Sequence, residues 1–344
     1  MRHLPSLAAA FCLLMAVLGP AAEADDFFKG KTITILIGAG VGGGYDTNTR
    51  LFARFFGRHV PGQPTIVPQN MPGAGGLTLA NTLYNVSPKD GTALGVFAAS
   101  IALDPVFGNI AANYDTKKFQ WIGSLERDTP SCGVWKGAGQ NIKTLDDLVA
   151  AKRTVLFGST GPSATTSQHA LLLKNYLGAP VKVIYGYQGT NDVKLAMERD
   201  ELQATCGMLE STVRGAFLKE FESGDLKIFV QFGPDHAVPF FGDATRLYDR
   251  MKRPEDRQTL DVIFRQAELA RPLAAPPGVP ADRIAMLRQA MIETLSDPEL
   301  VADAARVRVE FHPVSGEETQ RIFASYYDIP KPMIQRALDM INKE

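Results

Sequence analysis

Lys31-Thr32-Ile33-Thr34-Ile35-Leu36-Ile37-Gly38-Ala39-Gly40-Val41-Gly42-Gly43-Gly44-Tyr45-Asp46 is the stretch on which the fold turns. Up to Ile37 it is β-branched and apolar, as a buried parallel strand is. A cluster of glycines follows, and from about Thr47 to Phe56 the pattern becomes amphipathic at helical spacing. Strand, small-residue turn and helix together make the unit of an α/β domain. Outward from this stretch the unit recurs. Thr65–Pro68 and Ala93–Ala98 read as strands with a helix over Gly76–Tyr84 between them. In the second half, Thr154–Phe157, Val181–Tyr185, Leu202–Met208 and Lys227–Phe232 read as strands, with helices over Ala164–Leu177 and Asp192–Arg199. Helices over Ala281–Leu295 and Glu317–Ile341 close the chain. The alternation predicts parallel sheets, and 344 residues is length for about two domains.

Three of the turns share one design: a buried strand, small residues, then a helix start. They are Gly38 to Asp46, Gly158 to Thr166 (GSTGPSATT) and Tyr187-Gln188-Gly189-Thr190-Asn191. A helix start offers unpaired backbone N–H groups and the positive end of the helix dipole. Glycine lets an anion approach that backbone, and Ser or Thr hydroxyls add donors, so such a turn holds a carboxylate or phosphate without an arginine. Gly38, Gly40 and Gly43 also spell the dinucleotide fingerprint G-x-G-x-x-G. That motif needs an acid at the end of the following strand, where this chain has Pro68-Gln69-Asn70. No cofactor is expected. Asp46 either caps its helix or lines the cleft. His169, on the helix after the second turn, either faces a ligand or is a hydrogen-bonded helical histidine.

The N-terminus carries Arg2 and His3, an apolar run from Leu4 to Leu18, and Ala22-Glu23-Ala24 ahead of Asp25-Asp26. This reads as a secretory signal peptide cut after Ala24, since an apolar run of about 15 residues falls short of the ~20 that span a bilayer. Export to the periplasm follows. Lys and Arg number 36 against 37 Asp and Glu, a net charge of −1. That balance gives no footing for nucleic acid or an anionic membrane surface. The five histidines are scattered without metal-binding spacing, and no G-x-S-x-G elbow occurs, so neither a metal site nor a catalytic residue is expected.

Several motifs together resemble one family, the solute receptors of tripartite tricarboxylate transporters, also called Bug receptors. Gly42-Gly43-Gly44-Tyr45-Asp46 with Arg50 resembles the family's G-G-G-x-D…R loop. Gln69-Asn70-Met71-Pro72-Gly73-Ala74-Gly75-Gly76 resembles its E-N-R-P-G-A-G-G, and Pro88 to Leu94 its P-D-G-Y-T-L. Ile142 to Leu148 resembles its T-L-x-E-L, Ser159 to His169 its S-x-G-x-G-S-x-x-H-L, and Ala275 to Pro280 its A-P-x-G-T-P. The resemblance covers nearly all of the chain after the leader. Val41 stands where the family has proline, Gln69 for its Glu, Met71 for its Arg, and Gln188 for the Lys of its third loop.

The resemblance implies an α/β, two-lobed clamshell of the class II periplasmic-binding-protein type, with two crossovers between lobes. Residues 1–24 form the leader, 25–130 with 267–344 lobe one, and 131–266 lobe two. It implies a monomer that is not an enzyme. Such a protein captures a small carboxylate between its lobes and hands it to the membrane permease of a tripartite tricarboxylate-type transporter. The candidate ligand-binding residues are Gly43, Gly44, Tyr45, Asp46, Gly73, Ala74, Gly75 and Gly76 from lobe one. From lobe two they are Ser159, Thr160, Ser163, Thr166, Tyr187, Gly189, Thr190 and Asn191. Tyr45 and Tyr187 either stack on a planar ligand or simply wall the cleft. The fold also sets Cys132 and Cys206 on adjacent strands, where they form either a disulfide or two buried thiols. The alternative functions are a sensing subunit serving a signalling receptor and a secreted enzyme acting on a carboxylate.

Overall fold

The computed structural model describes residues 27–137, 141–233 and 237–342. The expected leader and its cleavage site lie outside them. The described strands are β1 (Thr32–Ile37), β2 (Thr65–Asn70), β3 (Ala93–Val96), β4 (Gln120–Ser124), β5 (Pro130–Trp135), β6 (Val155–Gly158), β7 (Val181–Ile184), β8 (Ala204–Leu209), β9 (Leu226–Gln231), β10 (Thr245–Arg246), β11 (Pro272–Ala275) and β12 (Val314–Ser315). They form two six-stranded sheets, ordered β12-β4-β11-β3-β1-β2 and β10-β9-β5-β8-β6-β7. The chain leaves the first sheet after β4 and returns to it at β11. This is the two-lobed fold of periplasmic binding proteins.

The alternation of residues along β1 explains the layering. Ile33 and Ile35 pack into a cluster with Phe52 and Phe56 of the helix Gly44–His59 and Leu287 and Met291 of the helix Ala281–Leu295. Leu36 belongs to the opposite cluster, with Leu79 and Leu83 of the helix Leu77–Asn85. Strand residues alternate faces, so both faces of β1 are covered. Each fully buried Leu, Ile or Phe contributes about 1.5–3 kcal/mol of transfer free energy. Pro68 lies in β2, the edge strand, where its missing N–H costs no ladder bond.

The sheets are mixed rather than purely parallel. β2 and β3 run parallel to β1, but β11 is antiparallel to both β3 and β4. In the second sheet β5 is antiparallel to β8 and β9. β5 and β11, the first strands after each crossing, run antiparallel to both neighbours, and β12 runs antiparallel to β4. The connecting segments run side by side: Leu125 N donates to Arg271 O, Ala270 N to Glu126 O, and Asp128 N to Ala267 O, at 3.0–3.2 Å. Cys132 of β5 and Cys206 of β8 form a disulfide that ties the crossing strand to the second sheet.

The C-terminal segment is not one helix but two, Gly316–Ser325 and Lys331–Ile341. Pro330 has no N–H to continue the first helix and caps the second. The break redirects the chain. Lys331–Ile341 packs on the helices Thr165–Leu177 and Pro254–Phe264 of the second sheet, with Asn175 Nδ2 donating to Met340 O at 3.1 Å. Residues 331–341, expected with lobe one, therefore rest on the other half of the molecule.

Candidate functional site

The first glycine turn is held from within. Asp46 is buried, and its Oδ2 accepts from Gly42 N at 2.9 Å. Its Oδ1 accepts from Arg50 Nε at 2.7 Å and Asn70 Nδ2 at 2.8 Å. Arg50 Nη2 also donates to Asn70 Oδ1 at 2.6 Å, and Asn70 Nδ2 to Ala39 O at 2.9 Å. Asp46 thus does not cap its helix, whose N-cap is Gly43. With Arg50 and Asn70 it fixes the shape of the turn. The second turn of the first lobe carries positive φ at Gly73, Ala74, Gly75 and Gly76 in succession. L-residues adopt that region rarely, and a Cβ on Gly73 would stand 2.5 Å from Thr78 Oγ1.

The second-lobe turn is braced by its own hydroxyls. Ser159, fully buried, bonds Thr166 Oγ1 at 2.7 Å and Ser167 Oγ at 2.5 Å. Thr160 N donates to Thr166 Oγ1 at 3.3 Å. Ser163 faces lobe one, accepting from Asn109 Nδ2 at 3.1 Å, while Asn109 also donates to Asp104 Oδ2 at 2.9 Å. Burial pushes the Asp104 carboxyl up to about 6, against the opposing hydrogen bonds of Ser163 and Asn109. Thr165 Oγ1 donates to Ser100 Oγ at 3.2 Å, a second hydroxyl bond across the same seam.

All the turns converge on that seam. Gly40 N donates to Gln188 O at 2.7 Å. A Cβ on Gly43 would fall 2.9 Å from Thr190 Oγ1, one on Gly75 3.0 Å from Ala164 Cβ, and one on Gly161 2.7 Å from the Ala74 carbonyl carbon. Glycine is required here by approach distance. The lobes close around a cavity of about 80 Å³. Of the predicted residues, Gly43, Gly44, Tyr45, Gly75, Thr160, Thr166, Gly189 and Thr190 line it. Gly73, Ala74, Gly76, Asp46, Ser159, Ser163, Tyr187 and Asn191 do not. Tyr187 packs with the second-sheet core, and Asn191 lies against Gly42.

Sequence reasoning missed Ala98, Ala99, Pro130, Gly207, Leu209, Gln266, Leu269 and Ala270 among the lining residues. Most are apolar walls with no chemical signature. Gly207, with φ +67, lets Thr166 N approach to 2.8 Å of where its Cβ would be. None of the lining residues is charged. Tyr45 donates its hydroxyl to Ala270 O at 2.7 Å, and burial pushes its pKa up to about 12.

His169 does not reach the cavity, nor is it hydrogen-bonded. It is fully buried, stacked on Phe232 at 4.3 Å and edge-on to Phe264 at 5.5 Å, and neither ring nitrogen has a partner. Burial lowers its pKa to about 3. It is a neutral core ring.

Charge is concentrated behind the cavity. Arg271, wholly buried, pairs with buried Glu126. Its Nη1 donates to Ser211 Oγ at 2.9 Å and its Nη2 to Thr212 Oγ1 at 3.1 Å. Asp128 accepts from Thr129, Glu210 and Ser211 backbone N–H groups at 2.6–3.1 Å, at the start of the helix Glu210–Ala216. An anion is stabilised at a helix start, although burial still pushes Asp128 up to about 6. The cluster joins both connecting segments to the second lobe.

No family model matches the chain. A UPF0065 protein from the TAR-I ttuE-ttuC' intergenic region of Agrobacterium vitis is 28% identical over 205 residues, 58% of this chain and 58% of that relative. The matched region therefore spans less than two thirds of that relative. Among solved structures, the periplasmic binding protein BugD superposes with a TM-score of 0.72 at 17% identity, covering 91% of this chain and 99% of BugD. MatC from Rhodopseudomonas palustris, solved with bound malate, gives a TM-score of 0.69 at 17% identity, covering 91% and 99%. By fold, then, the chain is a two-lobed α/β protein of the periplasmic-binding-protein type. Within that class its likeness is to the Bug receptors, the group its loop motifs also resemble.

Proposed function

We propose that this chain is a periplasmic solute-binding protein that captures a small carboxylate between its lobes and delivers it to the membrane permease of a tripartite tricarboxylate-type transporter. It acts by binding, not by catalysis. The observation that carries this reading is the convergence of three glycine-rich helix starts on one cavity without charged lining residues, at the seam between two sheets. A carboxylate placed there meets the backbone N–H groups at the start of the helices Gly44–His59, Thr165–Leu177 and Thr190–Glu198. Charge-assisted bonds to such donors offset the cost of burying an anion. Gly43, Gly44, Gly75, Thr160, Thr166, Gly189 and Thr190 supply the contacts. Asp46, Ser159 and Gly73, Ala74 and Gly76 hold the turns in shape. Tyr45 forms a wall.

The lobes, 25–130 with 267–344 and 131–266 in outline, move about the paired segments at 125–130 and 266–271, with residues 331–341 riding on the second lobe. Ligand favours the closed state through contacts that exist only there, and the permease reads the closed shape. The malate in the MatC structure and the periplasmic binding role named for BugD support a carboxylate cargo and an exported receptor. The test is a thermal-shift screen of ligand-free protein against di- and tricarboxylates, short monocarboxylates, amino acids and aromatic acids. A ligand at about 100 times its Kd adds about 2.7 kcal/mol of stability. A saturable shift with one class of acid supports the reading, and no shift with any acid rejects it.

A further inference from the structure

Asn109 commits every polar group of its side chain. Its Nδ2 donates to Asp104 Oδ2 at 2.9 Å and to Ser163 Oγ at 3.1 Å. Its Oδ1 accepts from Ala111 N at 3.0 Å. Chemistry fixes the assignment of oxygen and nitrogen. Turned over, the amide would set its oxygen against a carboxylate and its nitrogen against a backbone N–H. Asp104 and Asn109 follow β3, in the half of the molecule built on the first sheet. Ser163 lies between β6 and the helix Thr165–Leu177, in the half built on the second. Asp104 is 2% exposed, and both Asn109 and Ser163 hydrogen-bond its carboxyl. The seam is therefore crossed twice within one small network. It is crossed by the Asn109 amide reaching Ser163, and by the Ser163 hydroxyl reaching Asp104.

A third crossing stands beside these, from Thr165 Oγ1 to the fully buried Ser100 at 3.2 Å. Nearby, Ala98, Ala99, Thr160 and Ala164 supply the cavity wall. The bonds of Asp104, Asn109 and Ser163 run from protein to protein, and cargo supplies none of them. Parting the lobes takes the Ser163 hydroxyl from a carboxylate, and bonds to an ionised acceptor are the stronger ones. We propose that Asp104, Asn109 and Ser163 form a latch that holds the lobes closed in part of the population before cargo arrives. Cargo then shifts an existing equilibrium instead of creating the closed form. Closure of this kind is independent of the solute's chemistry, so it stands or falls apart from the carboxylate reading.

The experiment is pulsed electron resonance on ligand-free protein carrying nitroxides at Val86→Cys and Val149→Cys, exposed positions in the first and second halves. The background is Cys12→Ser, and Cys132 and Cys206 are bonded to each other. The wild type is expected to show the separation set by the closed lobes beside a second, open one, with the closed share above roughly a tenth of the population, more than a usual minor state holds. Asn109→Ala and Ser163→Ala should each lower the closed-to-open ratio about three- to tenfold, the worth of one hydrogen bond. The double variant should lower it by less than the product of the two, because the residues share a contact. A wild type that shows only the open separation overturns the proposal. So does a ratio that neither substitution changes, or two effects that simply multiply. If Asn109→Ala does not fold, Ser163→Ala on the facing lobe decides the matter alone.

Discussion

Ala270 and Arg271 are adjacent in the chain, yet they belong to opposite kinds of environment. Ala270 borders a cavity with no charged lining residue. Arg271, one step behind it, is sealed in a cluster with Glu126, Ser211 and Thr212. The Tyr45 ring touches both settings: it lines the cavity, and the guanidinium lies 5.3 Å from its centroid. The cleft uses neutral donors and the hinge uses permanent charges. A guanidinium facing the empty cleft would be a buried, unpaired charge whenever the lobes closed without ligand, and that is costly. Backbone N–H groups carry no such penalty at a wet helix start. In the hinge the opposite holds, since partners are always present and the pair fixes where the two segments meet.

If that division is right, damage to the hinge should appear as lost stability and damage to the cleft as lost affinity. The largest effect belongs to Arg271→Met. It leaves Glu126 buried without its partner, which costs about 3–5 kcal/mol, measured by denaturant unfolding of the ligand-free protein. A loss under about 1 kcal/mol would mean that the charges contribute little to the hinge. In the cleft, Gly161→Ala places a methyl 2.7 Å from the Ala74 carbonyl carbon of the facing lobe. Overpacking of this kind costs about 1–3 kcal/mol, which opening the lobes relieves. Ligand affinity should therefore fall roughly 10–100-fold while unfolding without ligand is unchanged.

The smallest effect concerns neither region and tests whether pH acts through the core instead. His169 titrates near 6.5 when unfolded and at about 3 when folded. Its neutral form is the folded one. The unfolded chain therefore binds more protons between those values, and stability falls as pH drops from 6.5 towards 3. From pH 7.5 to pH 5 the loss is about 2 kcal/mol, at about 1.4 kcal/mol per pH unit below 6.5. Asp104 and Asp128, raised to about 6, act in the opposite sense. The difference between wild type and His169→Phe isolates the histidine: the variant should gain about 2 kcal/mol on the wild type over that range. A constant difference would contradict a neutral, unpartnered ring.

What could be read from the sequence divides along the same line. The cleft turns were visible because glycine, Ser and Thr after a buried strand have a local meaning, and β1 with its turn lies where it was expected. Which turn residues would face ligand was not visible. Ser159 and Asp46 have the chemistry of ligands, but the turns consume them for their own bracing. Ser163 is drawn to Asn109 across the seam. The hinge gave no signal, because Glu126 and Arg271 meet only after the chain has built an entire second sheet between them. The broken C-terminal helix had its sign in Pro330, overlooked because the apolar spacing on either side stays helical.

The central claim is that neutral donors in the cleft recognise a carboxylate by its charge. The most direct measurement takes the acid that gives the largest thermal shift and titrates the protein with that acid and with its primary amide, at matched ionic strength. The two differ little in shape. The account predicts that the acid binds at least a hundredfold tighter than the amide, because the amide nitrogen turns a donor towards backbone N–H groups and carries no charge. Comparable binding of acid and amide would contradict it, leaving the cleft a receptor for shape and not for anionic charge.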